Sequence, residues 1–446
     1  MQTHSLLTLS LLSSLMFVGC RTDEPLEISH NDQLAELLVP HGGPAAFSLP
    51  REGELDAIPQ DPRNPLTAEK IELGRLLFHE TAIGTHGKAV SAAGTFSCAS
   101  CHFAGAGFQA GTFQGIGEGG DGFGRNGEGR RRNEQVPFSD VDVQPIRSPS
   151  ALNTAYQEAM LWNGQFGGTG VNAGTEAGWT TGTPKANNYL GYQGLETQAI
   201  AGLTVHRLAI DAEFAVRTGY DRLFRAAFPL LPDSSLYSAE SAGLAIAAYE
   251  RTLLADEAPW QRYLRGDDLA LTDDAREGAV LFFGKAGCVN CHAGPALNSM
   301  TFHALGMADL VDCPEPTIRT AVENPENLGR GGFTGRPEDA YKFKVPQLYN
   351  LKSSPFYGHG SSFRTVRVVI AYKNAATPQN ARVPTDQLAA AFQPLGLTEM
   401  DIDRLTAFIE DGLHDPALER YVPTSLPSGQ CFPNHDAASR VDLGCD

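Results

Sequence analysis

The chain has 446 residues, enough for two domains of ordinary size. With 42% apolar and 19% charged residues it reads as globular, neither disordered nor membrane-embedded, and a formal charge of −18 argues against nucleic acid as a partner. Acidity on this scale serves solubility, or steers a basic partner such as a small cationic cytochrome.

Residues 1–19 read as an export signal. Leu6 to Val18 is an apolar run with Ser and Thr, too short to span a bilayer as a mature helix. It ends Phe17-Val18-Gly19-Cys20, which resembles a bacterial lipoprotein cleavage box with lipid on Cys20. The start carries no Lys or Arg, and Phe17 stands where Leu is usual. The expected location is the periplasm, with any membrane link through a tether at Cys20. Residues 20–60 mix charged, Pro and Gly residues without periodicity and read as a tether and an irregular arm.

Organised sequence begins at Thr67, a capping residue, with Lys70 where a capping-box acid would stand. Ile71, Leu73, Leu76 and Leu77 line one helical face, and the helix leads into Cys98-Ala99-Ser100-Cys101-His102. C-x-x-C-H is the attachment signature of a c-type haem: each cysteine adds across a vinyl group and the histidine reaches the iron. The pattern returns as Cys288-Val289-Asn290-Cys291-His292, after a similar run-up from Thr272 to Gly284. Zinc half-sites would need the pairs about 12 to 20 residues apart, and these lie much farther apart. Two covalently bound c-type haems are therefore expected.

The weak repeat predicts two cytochrome-c-like haem domains in one chain, arising by duplication. No strand-rich pattern appears, so the expected fold is mostly α with extensive coil, and the Gly and Pro content (47 and 28 residues) predicts long loops. The expected domains are 61–240 and 241–425, with a helix around Ala242 to Leu254 opening the second, followed by a tail at 426–446. Gly105 to Gly129 reads as a flexible flap near the first haem. It contains a formal G-x-G-x-x-G from Gly115 to Gly120, but no strand precedes it and no helix follows, which argues against a dinucleotide site. Arg130-Arg131-Arg132 reads as a solvated loop. Outside the haem motifs and Cys20, Cys313, Cys431 and Cys445 remain. In an oxidising compartment a pair is expected, Cys431 with Cys445 first, Cys313 with either as the alternative.

From residue 60 to about 425 the chain resembles the bacterial di-haem cytochrome c peroxidases, the family that includes MauG. The likeness rests on Leu73-Gly74-Arg75-Leu76-Leu77-Phe78, both C-x-x-C-H motifs, and Arg147-Ser148-Pro149-Ser150-Ala151-Leu152-Asn153. Leu161-Trp162-Asn163-Gly164, Leu195-Glu196-Thr197-Gln198-Ala199 and Tyr249-Glu250-Arg251-Thr252-Leu253 follow in family order. Phe302-His303-Ala304-Leu305-Gly306 and Phe343-Lys344-Val345-Pro346-Gln347-Leu348-Tyr349-Asn350-Leu351 complete it.

The resemblance implies an N-terminal peroxidatic haem domain with His102 as proximal ligand. It implies a C-terminal electron-transfer domain with His292 in that role, Trp162 between the haems, and Gln198 in the peroxide pocket. Hydrogen peroxide is the implied substrate and a small donor protein, a cytochrome c or a cupredoxin, the implied partner; a homodimer is the common family state. Alternatives are a MauG-like oxidase acting on a protein or small molecule, and a non-catalytic di-haem electron carrier.

Five departures stand out. No His lies between His102 and His206, so the first haem is expected to be open opposite His102. The family's catalytic Glu, about ten residues after the glutamine, is missing; His206 is the nearest titratable substitute and Glu196 the competing acid–base residue. Counting on from Ser353-Ser354-Pro355-Phe356-Tyr357-Gly358-His359-Gly360 puts Tyr372 where the second haem's Met ligand is usual, with Met300 or Met307 as the alternative. Arg147 stands where the family has a calcium-binding Asn, which puts calcium in doubt even though carbonyls at Ser353 and Pro355 could persist. A Gly-, Thr- and Asn-rich insert between Trp162 and Gln198 further reshapes the surface.

Overall fold

The computed structural model describes residues 30–445; the export signal and Cys20 lie outside them. The described chain is mostly helical with little sheet. Its helices are α1 (His30–Leu38), α2 (Ala68–His79), α3 (Gly194–Val205), α4 (Ala212–Thr218), α5 (Tyr220–Ala227), α6 (Asp233–Leu236) and α7 (Ala239–Arg251). Then come α8 (Pro259–Leu264), α9 (Asp273–Phe283), α10 (Arg330–Thr334), α11 (Val366–Ala375), α12 (Glu399–Ala407) and α13 (Ala437–Leu443). Two short antiparallel ribbons, β1 (Gly120–Asp121) with β2 (Arg131–Arg132) and β3 (Phe302–His303) with β4 (Phe343–Lys344), are the sheets among the described residues.

The chain builds one device twice. In α2, Thr67 Oγ1 accepts the Lys70 N–H at 3.2 Å and caps the helix. In α9, Thr272 does the same for Ala275 at 3.2 Å. Each helix then carries one glycine where a second backbone crosses: a Cβ on Gly74 would run into the Ala245 carbonyl of α7, and one on Gly278 into the Arg404 carbonyl of α12. Two left-handed asparagines close the devices. Asn153 (φ 58°) donates its N–H to Leu253 O at 2.7 Å and accepts from Ala255 N at 3.1 Å. Asn350 (φ 54°) donates to Leu413 O at 3.1 Å and accepts from Asp415 N at 3.1 Å.

The helix around Ala242 to Leu254 does not open the second half; as α7 it crosses α2 and packs on α3, where Gly243 fits against Ile200. Nor are the halves separate modules. One apolar core runs from Leu73, Leu77 and Tyr249 through Trp260 to Phe282 and Phe408. The arm is likewise no tether from residue 30 onward: Leu34 and Leu38 of α1, then Phe47, Leu49 and Ile58, are buried in the same core. Each such side chain contributes about 1.5–3 kcal/mol. Gln261 anchors the arm, accepting from Leu49 N at 2.8 Å and donating to Phe47 O at 2.9 Å.

The tail is closed by a Cys431–Cys445 disulfide, and Cys313 is a free thiol. It lies over the first C-x-x-C-H turn, where Ser97 Oγ donates to Pro433 O at 2.9 Å and His435 N to Thr95 O at 3.0 Å. Asp442 accepts from Phe123 N and Gly124 N, both at 2.8 Å, so the tail also holds the Gly-rich stretch.

Candidate active site

Each C-x-x-C-H segment forms a tight turn. Cys101 N and His102 N both donate to Cys98 O at 3.2 Å; Cys291 N and His292 N donate to Cys288 O at 3.2 and 2.9 Å. His102 Nδ1 donates to Phe108 O at 3.2 Å, and His292 Nδ1 to Leu297 O at 3.0 Å. The carbonyls of Pro149 and Pro346 also interact with these rings, at matching places in the repeat. A carbonyl on Nδ1 fixes the tautomer and leaves the Nε2 lone pair for a metal. Burial lowers the pKa of each imidazole to about 4, so both rings are neutral, as a ligand must be.

His292, Cys288 and Cys291 open onto a cavity of about 420 Å³. Its walls are largely apolar, with Phe282, Leu348, Val366, Ile370 and Leu405 among them. Three cations also line it, Arg147, Lys344 and Lys373, and no Asp or Glu does, in a chain of net charge −18. None of the three has a carboxylate partner among the described residues. Burial drops the Lys344 pKa to about 7, its Nζ held by Gln157 Oε1 and, at 2.6 Å, Ala159 O. Buried cations without counterions are costly. An apolar slot with unbalanced cations fits a flat apolar group carrying carboxylates, which is the description of a haem with its two propionates.

Arg147 sits in a shell of oxygens. Its guanidinium donates to Thr112 O at 2.9 Å, Gln109 Oε1 at 3.0 Å, Ala110 O at 3.2 Å and Ser354 Oγ at 2.7 Å. Hard oxygen donors of this kind are what calcium takes, and here a guanidinium occupies them. Trp162 Nε1 donates to Arg147 O at 2.8 Å. Trp162 therefore joins the His292 cavity, which it lines, to the 147–149 segment whose Pro149 carbonyl interacts with His102. Beside it His359, held by Asp309 at 3.0 Å, stacks on Phe343 with ring centroids 3.7 Å apart.

Tyr372 does not line this cavity. Its hydroxyl donates to Leu305 O at 2.5 Å, its ring packs between Phe363 and Phe392, and burial pushes its pKa up to about 12. Met307 lines the cavity, and Met300 does not. Met307 packs against Gly358, where a Cβ would make ordinary contact with its sulfur at 3.5 Å.

Around the first motif the acid–base candidates separate. Glu196 is fully buried and gripped by Arg251, Nε to Oε1 at 2.8 Å and Nη2 to Oε2 at 2.7 Å. With both oxygens committed to a buried guanidinium, it is a structural ion pair and not a free proton carrier, which corrects the expectation for Glu196. Gln198 is half-buried on α3, its amide beside Gly202. His206 caps the C-terminus of α3 and its Nδ1 donates to Asp142 Oδ2 at 2.8 Å. Burial works to lower the His206 pKa, but the charge and hydrogen bond of Asp142 outweigh it and the pKa is raised. The ring is 40% exposed, and its charge is felt at His102. Sequence reasoning missed Asp142, which is far from His206 in the chain and carries no motif.

The Gly-rich stretch is not a flap. Buried Arg130 gathers it, donating to Ile116 O at 2.6 Å and Gly117 O at 2.7 Å, and pairs with Asp436 of the tail at 3.3 Å. The expectation of a solvated Arg130-Arg131-Arg132 loop therefore fails at Arg130, and at Arg132, whose guanidinium covers the Phe138 ring at 4.2 Å.

Residues 68–269 match the family model for di-haem cytochrome c peroxidases. Cytochrome-c peroxidase IdrP1 of Denitromonas iodatirespirans is 28% identical over 387 residues, 82% of this chain and 87% of the relative. Methylamine utilization protein MauG of Methylorubrum extorquens is 28% identical over 370 residues, 81% of this chain and 83% of the relative. The cytochrome c peroxidase Ccp of Escherichia coli is 26% identical over 327 residues, 72% of this chain and 57% of the relative. Among solved structures, a MauG-like protein associated with microbial copper homeostasis shares the fold, with a TM-score of 0.55 and 23% identity. That match covers 83% of this chain and 96% of the other.

Proposed function

The chain belongs to the di-haem cytochrome c peroxidase and MauG family, and on that premise we propose that it reduces hydrogen peroxide to water with electrons from a small donor protein. Overall, one peroxide takes up two electrons and two protons and leaves as two waters. Haem at Cys98, Cys101 and His102, and again at Cys288, Cys291 and His292, supplies the redox-active iron. His206 takes the proton from the incoming peroxide and returns it to the departing oxygen, while Asp142 holds the ring and stabilises its charged form. Gln198, on the same helix, orients the peroxide. Trp162 carries electrons from the second site toward the first. Its hydrogen bond to Arg147, at the head of the segment that reaches His102, supports this path.

The observation that carries the reading is the His206–Asp142 hydrogen bond of 2.8 Å at the end of the helix that bears Gln198. Acid–base chemistry needs a titratable group near neutrality with one nitrogen free, and this pair supplies it. Peroxide-dependent oxidation of a reduced donor cytochrome, followed by absorbance, tests the reading; a holoprotein that does not turn over overturns it.

With His292, Met307 in place of Tyr372 would hold the second haem's iron, a role supported by its position on the same cavity wall. Arg147 takes the role of calcium in neutralising the oxygens between the two motifs, so the protein works without that ion. The periplasm remains the proposed location, with Cys20 as the tether. The Cys431–Cys445 disulfide supports an oxidising compartment.

A MauG-like oxidation of a protein or small molecule is the second reading, favoured by equal 28% identity to a MauG and to a peroxidase. One equivalent of peroxide added to the ferric protein without reductant separates the two. A spectral change shared by both haems favours the oxidase, and a change confined to one favours the peroxidase. A non-catalytic electron carrier would instead show two low-spin haems and no high-spin signal by electron paramagnetic resonance.

A further inference from the structure

A second cavity, of about 450 Å³, lies against the acid–base pair. Val205 and Arg207, the two sequence neighbours of His206, line it, and so does Asp142. The remaining walls come from Val143 to Pro145, from Pro184 of the insert, and from Arg319, Asn324 and Glu326 of the second half. Peroxide is about the size of two waters, each of which occupies roughly 30 Å³ in the liquid. A cavity of this volume lies in the range that holds small organic ligands.

The groups facing the cavity specify the ligand. Arg207 and Arg319 both adopt left-handed backbone, φ 58° and 56°, which costs a non-glycine residue roughly 1–3 kcal/mol and clusters at functional sites. Arg207 is neutralised by fully buried Glu118 and also donates to Asp140 O at 2.6 Å. Among the described residues Arg319 has no acidic partner: it donates one hydrogen bond, to Val141 O at 3.2 Å. Asp142 is already committed to His206. Glu326 is the remaining acid, and its Oε2 is a buried oxygen with no hydrogen-bond donor. Val143, Pro145, Pro184 and Val205 supply apolar surface between these charges.

We propose that this cavity binds a small hydroxylated organic acid, its carboxylate on Arg319, its hydroxyl toward Glu326 and its hydrocarbon body on the Val and Pro walls. The inference rests on the peroxidase reading and goes beyond it by adding a small-molecule reductant, bound beside the acid–base pair, as an alternative to the donor protein. In the phenolic case two molecules each lose one electron and one proton, the O–O bond of one peroxide breaks, and two waters form.

The test is calorimetric titration of the ferric holoprotein with 4-hydroxybenzoate and with its neutral isostere 4-hydroxybenzamide. 4-Hydroxybenzoate binds at least tenfold tighter than the amide, Arg319→Ala removes that preference, and Glu326→Gln weakens both ligands several-fold. Equal affinity for the two ligands, an unchanged preference in Arg319→Ala, or no binding of either overturns the proposal. Peroxide-dependent oxidation of a neutral dye is measured in parallel: dye turnover without the binding preference removes this cavity assignment alone, whereas absent dye turnover counts against the peroxidase reading itself.

Discussion

His206 Nδ1 lies 2.8 Å from Asp142 Oδ2, joining the end of α3 to the loop that follows the Gly-rich stretch. The carboxylate raises the imidazole pKa against the burial that would lower it. His206→Ala is expected to lower kcat by about 10²–10⁴, the usual worth of a positioned acid–base group. Asp142→Asn removes the charge that favours imidazolium, so the pKa falls and the corresponding limb of the kcat/KM profile moves to lower pH. Because the folded-state pKa is the higher one, the pair contributes stability below about pH 6.5 that is lost as pH rises through the folded pKa. Denaturation of Asp142→Asn at several pH values checks this: the difference from wild type shrinks as pH rises.

Arg147 concerns stability more than chemistry. Arg147→Ala leaves Gln109 Oε1, Ala110 O, Thr112 O and Ser354 Oγ without their shared donor. Each unsatisfied buried acceptor costs about 1–3 kcal/mol, so a loss of several kcal/mol is expected in urea denaturation. A calcium chelator is expected to leave wild-type spectra and activity unchanged, because the guanidinium already fills the oxygen shell.

Met307 and Tyr372 separate in a pair of variants. Met307→Ala is expected to change the absorption spectrum of the second haem and lower its reduction potential, since a thioether ligand holds the potential up. Tyr372→Phe loses one hydrogen bond to Leu305, worth about 1 kcal/mol, and leaves that spectrum as it is. The reverse pattern would reinstate the phenol as ligand.

The duplicated glycines offer a structural test. Gly74→Ala and Gly278→Ala each push a methyl group into the carbonyl of a crossing helix. Overpacking of this kind costs about 1–3 kcal/mol, and more where the clash is with backbone. Thermal unfolding of either variant should show the loss, and Gly74→Ala should loosen α2 against α7.

What could be read from the residues was local. Thr67 and Thr272 cap helices because a hydroxyl satisfies an amide three residues on, and Cys431 and Cys445 are close enough in sequence to pair. The C-x-x-C-H turns and the mostly helical class also follow from short-range pattern. The partners of those groups are long-range and unmarked. Nothing near Glu196 announces Arg251, whose guanidinium takes both carboxylate oxygens and removes it from the chemistry. Arg130 looked solvated because its acceptors are backbone carbonyls, which any sequence supplies. Ungapped counting placed Tyr372 as the second haem's ligand, and only the structure shows that its hydroxyl donates to Leu305 O while Met307 lines the cavity.

The central claim is peroxide reduction at a site served by His206. Its most direct test is steady-state oxidation of a reduced small cytochrome by hydrogen peroxide, using wild-type and His206→Ala holoproteins of equal haem content. The account expects wild-type turnover of about 1 s⁻¹ or faster, in the ordinary enzymatic range, and its loss by at least a hundredfold in the variant. Absence of turnover in the wild type, or a variant that matches it, would contradict the account.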